Sequence, residues 1–188
     1  MAVLFNDKYW FFHIPKCGGT SVRSQIGSIA RSVIEAGHNH GEPIRVMEDR
    51  TQIKNSFTVI REPVSWYRSF YAYRMKTGGW KNNHFLDRMC KADTLEGFCL
   101  NVLNRSPYGY LTDLYCRYIF GVEHVLMLEN IDVEFPKLME KWGFGHHKIT
   151  AVNVTNSKQL KLSQETQDKI FKAEKCIYKM FYNQTKRS

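Results

Sequence analysis

Residues 11–21 read Phe11-Phe12-His13-Ile14-Pro15-Lys16-Cys17-Gly18-Gly19-Thr20-Ser21. An apolar run from Tyr9 to Ile14 stops at Pro15; Lys16, two glycines and two hydroxyl residues follow. Beyond them Val22, Ile26, Ile29, Ala30 and Val33 recur at helical spacing, which predicts a helix over 19–35. The stretch is therefore a strand, a tight glycine turn and a helix start. Such a turn aims backbone N–H groups and the positive end of the helix dipole at one point, a setting for a phosphate or sulfate. Lys16 adds a full charge, and Thr20 and Ser21 add hydroxyl donors.

Outward from this corner, the β-branched and apolar run over 56–61 reads as a buried parallel strand. Pro63 then opens a helix. Helical patterns follow over 85–103, with a break near Asp93, and over 111–120, ending at Gly121. A strand is predicted over 122–128 and a helix over 135–142; the residues over 149–154 read as a strand or an extended loop. Ser163 can cap a last helix whose stripe is Ile170, Ile177 and Phe181. Alternating strands and helices imply an α/β fold with a mainly parallel β-sheet flanked by helices, in a single domain over 1–188. Ligands of such sheets bind at the carboxyl ends of the strands, where both Lys16 and Arg61 fall.

The net charge of +9 favours an anionic partner without choosing among nucleotide, acidic glycan, nucleic acid or membrane surface. The five cysteines show no framework spacing, which argues for free thiols in a reducing compartment. No apolar window is long enough for a membrane span. With no signal peptide, the expectation is a soluble, cytoplasmic protein.

The order of residues in the loop excludes familiar nucleotide motifs. A triphosphate-binding loop has its lysine after the last glycine, whereas here Lys16 precedes both; a G-x-G-x-x-G fingerprint is absent. The segment instead resembles the 5′-phosphosulfate loop of the sulfotransferases that use 3′-phosphoadenosine 5′-phosphosulfate (PAPS), closest to the carbohydrate branch, whose loop reads H-I-P-K-T-G-G-T-S. Cys17 stands in place of Thr, at the loss of one hydroxyl donor. A second stretch, Arg61-Glu62-Pro63-Val64-Ser65-Trp66-Tyr67-Arg68-Ser69-Phe70-Tyr71, resembles the family's 3′-phosphate motif R-D-P-V-x-R-x-x-S-x-Y. Arg61 and Ser69 take the positions of its phosphate-binding arginine and serine, and Glu62 replaces an Asp that is not a phosphate ligand. A donor with phosphates at both its 5′ and 3′ ends needs two such sites, in this order.

The resemblance implies a P-loop-like fold and a donor site made of Lys16, Cys17, Gly18, Gly19, Thr20, Ser21, Arg61 and Ser69. It implies PAPS as donor, adenosine 3′,5′-bisphosphate (PAP) as product and no metal. The acceptor is a hydroxyl, on a saccharide by the closest branch, and no nucleic acid is involved. It also implies a bacterial or viral enzyme, or a trimmed Golgi catalytic domain. Arg117 reads as an extra phosphate contact or as a surface arginine.

Sulfuryl transfer to an alcohol needs a base near the sulfur. His38-Asn39-His40 lies between the two anion motifs, and in an extended segment both histidines point to one side. The heparan sulfate 2-O-sulfotransferases carry a His-Gly-His at a similar place, which makes His40 the expected base with His38 assisting. The same residues also read as solvated loop histidines, or as half of a zinc site completed by His146 and His147. Glu35, Glu42 and Glu48 are reserve bases. Two other functions fit less of the chain: a P-loop-like kinase, which the displaced lysine opposes, and a basic anion-binding module, which leaves the two ordered motifs unexplained.

Overall fold

The protein is described by a computed structural model over residues 2–36, 41–43, 53–81, 84–150 and 159–183. Its elements in chain order are β1 (Ala2–Phe5), β2 (Tyr9–Phe12), α1 (Gly19–Ile29), β3 (Val33–Ala36), β4 (Ile53–Ile60), α2 (Pro63–Lys76), α3 (Phe85–Met89), α4 (Leu95–Arg105), α5 (Tyr110–Ile119), β5 (Val122–Met127), a 3-10 turn (Leu128–Asn130), α6 (Ile131–Lys141), α7 (Gln164–Ala173) and α8 (Lys175–Phe181). They form two compact units, one of Met1–Arg61 and Tyr115–Val154, the other of Glu62–Leu114 and Thr155–Ser188.

The first unit holds a five-stranded sheet in the order β3-β1-β2-β4-β5. β2 pairs with β4, and β4 with β5, in parallel. β1 pairs antiparallel with both β2 and β3. The sheet is thus mixed, and the expectation of a mainly parallel one is corrected. The cause is an N-terminal hairpin that the apolar pattern does not announce. Asn6 and Asp7, with φ of 47 and 53, turn the chain between β1 and β2; these residue types enter the left-handed region at least cost after glycine.

The same Asn6 also ends the first helix early. Its side-chain oxygen accepts from the backbone N–H groups of Arg31 (2.7 Å) and Ser32 (3.3 Å). The chain leaves α1 at Ala30, which is extended, and the β-branched Val33 and Ile34 pair onto β1 instead of continuing the helix. The expected helix to residue 35 is therefore a helix and a strand.

In the core of this unit Phe11 and Phe57 are fully buried and stack 4.9 Å apart across the parallel pair. Each such side chain removed from water stabilises the fold by about 1.5–3 kcal/mol. α6 packs on β5. It begins before the expected Phe135 and carries Pro136 inside it.

In the second unit α2 starts as the sequence predicts. Pro63 occupies its first turn, and the Glu62 carboxylate accepts from the N–H groups of Val64 (3.1 Å) and Ser65 (2.7 Å). α5 starts on a more distant carboxylate. Glu174, fully buried, accepts from the N–H groups of Leu111 (2.9 Å) and Thr112 (2.7 Å), from the Thr112 hydroxyl (2.8 Å) and from the Tyr67 hydroxyl (3.0 Å). Burial pushes its carboxyl up from the usual range, against the pull of these donors. Gly109 makes room for it: at φ 98, a Cβ there would stand 2.5 Å from Glu174 Oε2. The expected last helix starts on Ser163, whose hydroxyl accepts from Thr166 N–H, but divides at Glu174 into α7 and α8. Among the described residues no helix is long and apolar enough to cross a membrane, and all five cysteines are free.

Candidate functional site

In the first unit β2, β3, β4 and β5 all run in one direction, against β1. Ala36, Ala2, Phe12, Thr58 and Val125 form one row across them. The loop after Phe12, the residue after Ile60 and the end of β3 therefore leave the sheet at the same edge, the carboxyl edge of the parallel strands. The correction to β3 matters here. Read as a helix, residues 33–36 have no fixed relation to the loop; as a strand, they return the chain to its edge. His38, His40 and Glu48 lie outside the described residues.

The loop itself is a reverse turn. Cys17 N–H donates to Ile14 O at 3.3 Å, with Pro15 second in the turn and Lys16 third at φ 67. This is the form of a type II turn, whose third position ordinarily takes glycine. Holding a lysine there costs about 1–2 kcal/mol, and that strain falls on the residue expected to face the leaving group. Gly18 then caps α1 at φ 75 with no side-chain hydrogen bond to the helix, and no acidic residue stands in the first turn. Gly18 thus gives the first N–H groups of α1 no side-chain cap.

Gly18 is favoured by its φ of 75, and Gly19 by the His13 ring against it. A Cβ on Gly18 would stand 2.5 Å from Leu128 Cδ1, and one on Gly19 would stand 1.8 Å from His13 Cδ2. The His13 ring edge lies against the start of α1, stacked on Phe11 at 6.0 Å. Burial, then Arg23, then Lys16 lower its pKa to about 4, so it is neutral at physiological pH. His13 itself is half-buried, just past the end of β2.

Cys17 departs from its expected role. Its N–H is committed to Ile14 O, and its thiol is 1% exposed, 3.6 Å from the Tyr115 hydroxyl. Burial pushes that thiol up to about 12. Both the N–H and the thiol of Cys17 are thus engaged within the protein.

Arg61 follows β4 directly. Its Nη1 donates to Lys16 O at 3.3 Å, which joins Arg61 to the Lys16 turn within the first unit. Its Nε is buried and has no hydrogen-bond partner among the described residues. The sequence gives no hint of Tyr115, which organises this junction: fully buried, its hydroxyl accepts from Arg61 N–H at 3.2 Å and donates to Arg61 O at 2.8 Å. Its place in an apolar helical stripe marks it only as a core residue.

Thr20 is exposed and Ser21 half-buried, both in the first turn of α1. Ser69 belongs to the second unit, on α2, and is 4% exposed. Glu62 is the α2 cap. Two reserve bases are committed to ion pairs: Glu35 with Arg23, and Glu42 with Arg117 at 3.0 Å. The latter pair accounts for Arg117 as a surface arginine. His146 pairs with Glu140 at 2.7 Å and His147 lies 2.8 Å from Phe144 O. Among the described residues no group of three or more His, Cys, Asp or Glu is placed to hold a metal ion.

Three features thus stand at one sheet edge: an uncapped helix start, a strained lysine turn, and an arginine with an unpartnered buried Nε. Comparison with protein-family models, with curated proteins and with solved structures gives no match for this chain.

Proposed function

We propose that this edge binds PAPS and that the protein is a sulfotransferase acting on an acceptor hydroxyl, on a saccharide by the closest resemblance. The observation that carries the reading is the meeting of the Lys16 turn with Arg61, whose Nη1 reaches Lys16 O at 3.3 Å. One anion site would need either group; two linked ones suit a nucleotide with phosphates at both ends of its ribose. The orphaned Arg61 Nε and the uncapped start of α1 are the donors such a ligand would satisfy.

In this reading the N–H groups of Gly19, Thr20 and Ser21 hold the 5′ end, with the Thr20 and Ser21 hydroxyls. Arg61 holds the 3′-phosphate. The bound donor supplies the sulfuryl group and a phosphate leaving group. His40, assisted by His38, takes the acceptor proton as the alcohol oxygen bonds to sulfur. Lys16 neutralises the bridging oxygen as its bond to sulfur breaks, leaving a sulfate ester and PAP. Positioning and charge do most of this work, as in phosphoryl transfer.

The test is a melting curve with PAP against ATP, both without divalent metal. PAP should raise the melting temperature well above the shift from ATP, and Arg61→Ala should remove most of that difference, a loss of about 2–4 kcal/mol in PAP binding. Equal shifts with both nucleotides would sink the reading. Transfer to an oligosaccharide mixture from labelled PAPS in EDTA then tests the reaction itself.

A further inference from the structure

The valences of the Tyr115 hydroxyl are filled in a way that joins the two anion anchors. A phenol has one donor and two acceptor positions. The donor goes to Arg61 O (2.8 Å), one acceptor position takes Arg61 N–H (3.2 Å), and Cys17 Sγ lies at 3.6 Å, where its thiol can fill the other. Through this one atom the Cys17 end of the turn meets the backbone of Arg61. Tyr115 is fully buried and Cys17 is 1% exposed, so the link is shielded from water, and Arg61 Nη1 to Lys16 O closes a second bridge beside it.

We infer that Tyr115 is a positioning residue that sets the spacing between the 5′ and 3′ anion anchors, and so determines preference for a nucleotide with two phosphates over one with a single 5′-phosphate. The inference rests on the sulfotransferase reading of the site. It acts through Arg61: the hydroxyl grips both backbone polar groups of that residue, so the direction of its guanidinium depends on the phenol. An ångström of misplacement at such a group is enough to lose one to two orders of magnitude in a bound-state interaction.

The experiment measures PAP and AMP affinity by calorimetry in the wild-type chain and in Tyr115→Phe, with a melting curve for each. In Tyr115→Phe the PAP affinity should fall about tenfold while AMP affinity stays within about twofold, so the PAP-to-AMP ratio falls about tenfold. A purely structural role would lower both affinities together or neither; either result overturns the inference. A wild-type chain with no preference for PAP over AMP overturns the reading of the site, and the inference with it. If Tyr115→Phe does not fold, Cys17→Val keeps the packing, removes the thiol donor, and should lower the ratio about threefold; an unchanged ratio there is also a refutation.

Discussion

The start of α1 and the starts of α2 and α5 solve the same problem in opposite ways. Every helix leaves its first N–H groups unpaired and carries partial positive charge there. In the second unit the chain answers from within. Glu62 caps α2, and the buried Glu174 reaches from the α7–α8 junction to cap α5. α4 has Thr94 at its cap and Glu96 in its first turn, and α7 has Ser163 and Glu165. α6 lacks a side-chain cap but carries Asp132 and Glu134 in its first turn. Among the described helices of eight residues or more, α1 alone has neither a side-chain cap nor an acid there. Cations gather at its start instead, with Lys16 in the turn and both Lys16 and Arg23 acting on His13. This contrast in side-chain caps and first-turn acids is what the proposed anion site at α1 rests on.

The largest expected effect separates the chemistry from this cradle. If the sulfotransferase proposal holds, His40→Ala should cut turnover by about 10²–10⁴ while PAP affinity, measured by calorimetry, stays near wild type, because in that proposal the imidazole serves the acceptor and not the phosphates. His38→Ala should act in the same direction more weakly. Normal turnover in both variants would return the base to a carboxylate. Of the reserves, Glu35 and Glu42 are already engaged by Arg23 and Arg117, which leaves Glu48 as the next residue to change.

The comparison itself can be broken by giving α1 what the other helices have. Thr20→Asp puts a carboxylate at the second residue of α1, on an exposed position. It should stabilise the fold by about 0.5–1 kcal/mol, the usual worth of a negative group at a helix start. It should also weaken PAP binding by tenfold or more, since the internal charge repels the external one at short range. Opposite signs in stability and binding are the signature of a site kept unsatisfied for a ligand. If Thr20→Asp stabilises the chain and leaves PAP affinity intact, the anion does not bind at α1.

Much of this edge was legible in the chain because it rests on local chemistry. Pro15, the glycine pair and the helical stripe place the turn and the start of α1, and the apolar run before Arg61 places β4. The Pro63 helix start and the breaks near Asp93 and Gly121 follow from the same signals. What was missed depends on partners distant in sequence. β3 looked helical because Val33 continues the spacing of α1; only pairing with β1 makes it a strand. The N-terminal hairpin is two short apolar runs around Asn6 and Asp7, with no glycine to mark the turn. The last helix read as continuous from Ser163, and its division at the buried Glu174 depends on contacts with Tyr67, Leu111 and Thr112. In each case a tertiary hydrogen bond overrode the local pattern.

The smallest effect concerns His13, the neutral group nearest the uncapped start. Its pKa is held at about 4 against 6.5 in the unfolded chain, by burial first and then by Arg23 and Lys16. Between those two values the unfolded chain binds more protons than the folded one, so this residue's contribution to stability is full above pH 6.5 and declines as pH falls toward 4. His13→Gln should flatten that part of the stability profile. A bound bisphosphate would offset the positive charges of Lys16 and Arg23, raise the His13 pKa and draw a fraction of a proton onto the ring near pH 5. Calorimetry of PAP binding in two buffers of different ionisation enthalpy reads that proton. The phosphates also titrate, so the quantity that matters is the difference between wild type and His13→Gln. An identical proton balance in the two chains would mean that the anion stays beyond the reach of the ring, and that Gly19 and His13 pack together for the fold alone.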